Sequence, residues 1–226
     1  MSFVMTHLAV AKGINDKTGI VKDLQSYYLG SIAPDCVHVR SDYHSDMKSA
    51  AHFCIGDVGW GQVTDNLEWR DNILALLHSY RKSPDFDFML GYFIHILVDT
   101  YDNEKIHIPF KERYAREGLP PQDRGRTFYN DKSQNDFWLF GHCKWRDEVW
   151  RLLADAKAVD VSNVIKAQEA AEYRDIVLHQ FDTGLCPYDQ PVRFFTLEDN
   201  IKFIEDTIED VVAQLGPVPE SCEVWI

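Results

Sequence analysis

The most apolar stretch of the chain, Phe86 to Tyr101, carries a histidine and a carboxylate four residues apart, in Gly91-Tyr-Phe-Ile-His95-Ile-Leu-Val-Asp99. Helical spacing stacks His95 and Asp99 on one face. Apolar surroundings predict a central helix, and an unpaired carboxylate inside it is costly. Asp99 therefore needs a cation or several donors. On these residues alone two solutions stand level: a divalent metal shared with His95, or a buried His-Asp hydrogen bond of the kind helical bundles also form.

Apolar positions elsewhere recur mostly at helical spacing, and no strand-length stretch alternates strictly, so the expected fold is all-α. The 226 residues are read as one domain, 1–226. A first helix is expected over Thr6–Ile14 and a second over Thr18–Leu29, stopped by Gly30 as a left-handed cap. Ser31–Gly61 reads as a long loop, because Pro34, small residues, three histidines and four aspartates make it too polar for a core helix. Loops of that length are usually functional or disordered. Thr64 or Asp65 caps a helix to about Lys82, and Ser83-Pro84-Asp85 precedes the central helix. Helical regions follow over about Tyr129–Ala156 and Ser162–Phe181. Thr196-Leu-Glu-Asp199 reads as a capping box opening a last helix that Gly216-Pro217 ends.

Lys plus Arg number 23 against 36 for Asp plus Glu, a formal charge of -13, which argues against generic nucleic-acid binding and anionic lipid surfaces. A bound cation can still dominate the local field, so a phosphate-bearing substrate remains compatible. Cys36, Cys54, Cys143, Cys186 and Cys222 form no CxxC pair and predict neither a disulfide framework nor a cysteine-rich zinc site. No leader pattern or membrane-spanning apolar run is read, and the expected location is cytoplasmic. Phosphate-loop, nucleophile-elbow and HExxH motifs are absent, and Gly56-Asp-Val-Gly59-Trp-Gly61 reads as a flexible loop.

Further candidate ligands are His7 in Thr6-His7-Leu8, Asp35 after Ala33-Pro34, and His52 in Ala51-His52-Phe53. Singly each has an ordinary role, as a packed histidine or a turn aspartate. Together with His95 and Asp99 they form a nitrogen and oxygen set suited to zinc or a related transition metal. His38 and His44 read as exposed loop histidines. His78, His142 and His179 read as helix residues without a partner set, and Trp138, Trp145 and Trp150 as core or interface.

The ordered set of Thr-His-Leu, a loop aspartate, a small residue before His-Phe, and Gly-x3-His-x3-Asp resembles the zinc-dependent phospholipase C family, whose superfamily includes single-strand-specific zinc nucleases. The matched motifs span residues 6 to 99. The resemblance implies a multi-helix bundle with one to three ions, zinc first, with iron, manganese or nickel as substitutes. Asp35, His52, His95 and Asp99 would surround one ion, and His7 would join a bridging Asp99 at a second. The family's terminal tryptophan ligand has no counterpart, since the sequence opens Met1-Ser2. For the third ion His107 is a displaced candidate, and Asp131 and Asp136 are possible carboxylate substitutes, Asp136 reading more readily as a solvated helix residue.

The implied activity is metal-dependent phosphoester hydrolysis, phosphodiesterase or phospholipase C-like. A metal-held hydroxide would attack phosphorus, and Asp35 would double as proton acceptor. The expected partner is a phosphoester small molecule or a phospholipid; Arg40, Lys48, Arg124 and Arg126 are the cations available to its phosphate. A non-catalytic helical metal-binding or interaction protein with a degenerate site is the alternative. An HD-type phosphohydrolase is disfavoured because no His-Asp dipeptide occurs.

Overall fold

The computed structural model describes residues 3–56 and 58–216; Pro217 and Cys222 lie outside them. Among the described residues there are ten α-helices and no strand, with one isolated bridge between Val161 and Ile165. The helices are α1 (Val4–Thr18), α2 (Leu24–Gly30), α3 (Ser45–Ala51), α4 (Asn66–Ser79), α5 (Phe86–Asp102), α6 (Ile108–Arg116), α7 (Arg124–His142), α8 (Arg146–Asp155), α9 (Ala167–His179) and α10 (Leu197–Leu215). None is long and apolar enough to cross a membrane.

Helix α5 is the axis of the fold. Every residue from Phe88 to Asp102 is buried, and α1, α2, α4 and α10 pack around it. Its closest neighbour is α2, and two glycines make that approach possible. A Cβ on Gly91 would lie 2.0 Å from the Tyr27 carbonyl oxygen, and one on Gly30 would lie 2.0 Å from that of Phe88. Gly30 is thus a contact residue and not the expected left-handed cap: the C-cap, Ser31, is right-handed. The left-handed cap is Gly19, at φ 59°, so α1 runs past Ile14 to Thr18. Helix α2 starts later than expected, where Asp23 accepts hydrogen bonds from the amides of Gln25 and Ser26.

The segment 31–61 is more ordered than its polarity implies. A 3-10 turn over Ala33–Val39 buries Ala33, Pro34, Asp35, Cys36 and Val37, and α3 follows. Asp65 caps α4 through the Glu68 amide. The region Tyr129–Ala156 divides into α7 and α8, and the Thr196 to Asp199 capping box opens α10 as the sequence indicates.

Candidate metal centre

Four elements converge on Asp99. His7 enters from α1, Asp35 from the 3-10 turn, His52 from the C-terminal end of α3, and His95 from α5 itself; all five residues are buried. Each is held from behind. The Asp136 carboxylate on α7 accepts the Met5 and Thr6 amides at 3.2 and 3.1 Å, fixing the first turn of α1 just ahead of His7. The His52 carbonyl accepts the Trp69 indole N–H at 3.1 Å, and the Ala51 carbonyl accepts the Tyr92 hydroxyl at 2.6 Å. Phe53 then turns the chain out of α3 with a left-handed φ of 49° and packs on Tyr92 and Phe93.

The imidazoles are oriented by the main chain. His52 Nδ1 lies 2.9 Å from the Lys48 carbonyl, and His95 Nδ1 lies 2.8 Å from that of Ser31. A carbonyl only accepts, which assigns the proton to Nδ1 in both rings and turns Nε2 inward. Burial, with the adjacent His7, pushes the His95 imidazole down to about 3, so it is neutral at pH 7. His7 and His95 stack in parallel, with centroids 3.7 Å apart.

The inward nitrogens test whether these residues fit a metal. His52 Nε2 lies 3.2 Å from Asp99 Oδ2 and 3.6 Å from Asp35 Oδ1; His95 Nε2 lies 3.8 Å from Asp35 Oδ2 and 4.0 Å from Asp99 Oδ2. Neither nitrogen has a hydrogen-bond partner, and both are fully enclosed, as is His7 Nδ1. A lone pair facing a carboxylate oxygen is repulsive; a cation between them reverses the sign. Ligands around a tetrahedral zinc, about 2.1 Å from the metal, stand roughly 3.4 Å from one another. The observed spacings therefore fit such an ion among Asp35, His52 and His95, with Asp99 Oδ2 beside it at 3.2 Å from His52 Nε2. On the other oxygen of Asp99, Oδ1, His7 Nε2 stands at 3.4 Å, which fits a second cation-binding position.

Protein donors also reach this cluster. Lys48 Nζ donates to Asp35 Oδ1 at 2.8 Å and lies over the Trp60 ring, while the Trp60 indole donates to Asp99 Oδ2 at 2.8 Å. Burial opposes ionisation of Asp35. The Lys48 charge, with His38, outweighs it and holds the carboxyl well below the usual range. The cluster opens into a pocket of about 240 Å³, lined among others by Tyr43, Lys48, Trp60, Tyr129 and Lys132.

Other candidates are placed elsewhere. Asp131 Oδ2 accepts the amides of Arg193, Phe194 and Phe195 at 2.7 to 3.1 Å, anchoring the loop before α10, so it is spent on backbone and does not reach the cluster. His107 packs between the Trp60 and Phe128 rings, 3.5 Å from Asn103 Oδ1. Asp136 is not solvated as expected: it is the buried cap of α1. Arg40 is committed to Glu169 and the Val164 carbonyl, which removes it as a phosphate ligand, and Arg124 and Arg126 are outside the pocket lining. His44 is exposed, whereas His38, read as a loop histidine, brings Nε2 within 3.6 Å of Asp35 Oδ1. Trp60 carried no recognisable signal in its glycine-rich segment. No protein-family model matches the chain, and neither a curated protein nor a solved structure does.

Proposed function

We propose that the chain is a metal-dependent phosphoester hydrolase resembling the zinc-dependent phospholipases C. The observation that carries this reading is the set of buried, unpartnered histidine nitrogens facing two carboxylates, Asp35 and Asp99, that line an open pocket. A zinc or related ion held there would neutralise charge developing on phosphoryl oxygens and lower the pKa of water towards neutrality. The chain's own residues supply the rest. Asp35, ionised and close to Lys48 and His38, is the proposed proton acceptor for the attacking water. Lys48, at the pocket wall, offers its ammonium to a substrate oxygen. Trp60 fixes the orientation of Asp99, and the rings of Phe3, Tyr43, Phe128 and Tyr129 limit the water around the substrate.

One observation favours a non-catalytic metal-binding or interaction protein: Lys48 and Trp60 already satisfy one oxygen on each carboxylate. The two readings separate by experiment. Purified protein is expected to carry transition metal after mild dialysis, to hydrolyse an activated phosphoester in a metal-dependent way, and to lose that turnover by several powers of ten in a folded His52→Ala variant. Helicity is checked first, because ligand loss also unfolds metal-linked domains. Stoichiometric absence of metal, not restored by zinc, iron or manganese, overturns the centre. Metal binding without turnover on diester, monoester or phospholipid leaves the non-catalytic reading.

A further inference from the structure

The pocket has a second charged wall, formed by Lys132 of α7 and Asp102 of α5. The two are buried, ion-paired, and both line the pocket. Four phenyl rings enclose the ammonium, with centroids at 4.7 Å for Phe195, 5.0 Å for Phe3, 5.6 Å for Phe203 and 5.7 Å for Phe128. Ring faces hold a cation by their quadrupole but do not take up its N–H groups as an oxygen does. An ammonium has three donors, and Asp102 is the one hydrogen-bond acceptor of Lys132 among the described residues. Donor capacity is left over at the pocket wall. A buried ion pair also adds little stability over a well-packed apolar pair, so packing alone gives no reason for this charge.

Its position relative to the centre is fixed by two helices. Asp102 follows Asp99 by three residues on α5, an axial step of about 4.5 Å. Across from it, Phe3 precedes His7 by four residues, so the ammonium lies about one turn along from the contact between His7 and Asp99. Phosphoryl oxygens are roughly 2.5 Å apart and accept hydrogen bonds of about 2.8 Å, so one phosphoryl group spans that step.

We propose that Lys132 is a positioning and specificity residue that reads a second negative charge. The pocket then takes a phosphate monoester or terminal phosphate, dianionic at neutral pH, in preference to a diester. This rests on the phosphoester reading above. In the hydrolysis a water oxygen forms the new bond to phosphorus and the bond to the ester oxygen breaks. The alcohol leaves with a proton, and inorganic phosphate retains the charge that Lys132 faces. Without Lys132, Asp102 would stand bare on the wall and repel a dianion.

The test compares metal-loaded wild type with the charge-balanced double variant Lys132→Met, Asp102→Asn and with Lys132→Arg. Calorimetry with inorganic phosphate gives binding, and kcat/KM on an aryl phosphate monoester and diester gives the preference; metal content and helicity are followed in parallel. The double variant is expected to bind phosphate about tenfold to hundredfold more weakly, at unchanged metal content. Its monoester-to-diester ratio should fall by a similar factor, with Lys132→Arg retaining part of both. A folded double variant with unchanged phosphate affinity and ratio overturns the proposal and makes the pair structural. A wild type that prefers the diester overturns it too, while leaving the hydrolase reading intact. Lysine-dependent phosphate binding with no turnover by wild type supports Lys132 as the anion site and sinks the hydrolase reading instead.

Discussion

Replacing Gly91 with alanine probes whether the centre is set by the close approach of two backbones. The new Cβ would lie 2.0 Å from the Tyr27 carbonyl oxygen, where real Cβ atoms essentially never come within 3.0 Å. Helix α2 must therefore retreat by about 1 Å, since backbone cannot rotate aside as a side chain can. Ser31, at the end of α2, holds His95 Nδ1 at 2.8 Å, and a retreat of that size carries its carbonyl beyond hydrogen-bond reach. The 3-10 turn bearing Asp35 follows directly. Overpacking and one lost buried hydrogen bond together cost about 2–4 kcal/mol. For a chain of this size that lowers Tm by roughly 5–15 °C. Urea unfolding in the presence of chelator reads the stability, and competition with a chromophoric chelator reads metal affinity, expected to fall at least about tenfold. Gly141→Ala is the control: it lies in α7 with no heavy atom within 4 Å of the added Cβ, and is expected to be neutral or stabilising by up to about 1 kcal/mol. Wild-type stability and metal affinity in Gly91→Ala would refute the argument that this crossing aligns the ligands.

Two other perturbations separate ligand from scaffold. Asp99→Ala should abolish metal retention, whereas Asp136→Ala should lower stability by about 1–2 kcal/mol through loss of the α1 cap while retaining more metal; equal metal losses in elemental analysis would place the centre elsewhere. His107 gives a pH dependence. Burial, then the Lys111 charge, pushes its imidazole down from 6.5 to about 4, so below pH 6.5 the unfolded chain takes up a proton that the folded chain refuses. Its contribution is complete above pH 6.5 and is lost as pH falls towards 4, by about 2 kcal/mol after allowance for its partial solvent contact. His107→Gln should flatten the fall in urea midpoint between pH 7 and 4.5, and an unchanged slope would show that His107 is not the group responsible. His95, shifted in the same direction, leaves the variant some residual slope.

The sequence made the buried His/Asp cluster legible because burial makes charge conspicuous. An aspartate inside Gly91-Tyr-Phe-Ile-His95-Ile-Leu-Val-Asp99 has no solvent to face, and His7, Asp35 and His52 are the residue types that would complete a cation site with it; the structure brings His7 and His52 to Asp99, and Asp35 to His52 and His95. Capping chemistry was legible for a similar reason, since Asp65 and Thr196 act within three residues of themselves. Glycine was ambiguous. The same residue type permits a positive φ at Gly19 and a backbone contact at Gly30, and only the distant partner, Phe88, distinguishes the two. Segment 31–61 misled because its helical pieces are seven residues each, too short to establish a period, and because Asp35 is buried by long-range partners.

Helix α7 misled most. Asp136 reads as a solvated helix residue and Asp131 as a candidate ligand, yet both are buried with Lys132 and Asn135, and three of the four serve backbone: Asp131 and Asn135 hold the chain entering α10, and Asp136 holds the start of α1. Those partners lie about 60 to 130 residues away, beyond any local pattern. Lys132 differs from its neighbours in a way that bears on function. Their polar atoms tie elements together, whereas its ammonium meets Asp102 and ring faces beside an open pocket. A helix whose buried polar row otherwise fixes the start of α1, just ahead of His7, and the chain entering α10 thus also carries the charge proposed to face a substrate. The Asp136 and Lys132 variants accordingly test one helix in two capacities: loss of Asp136 should disturb the start of α1, and loss of Lys132 should change which phosphate the pocket prefers.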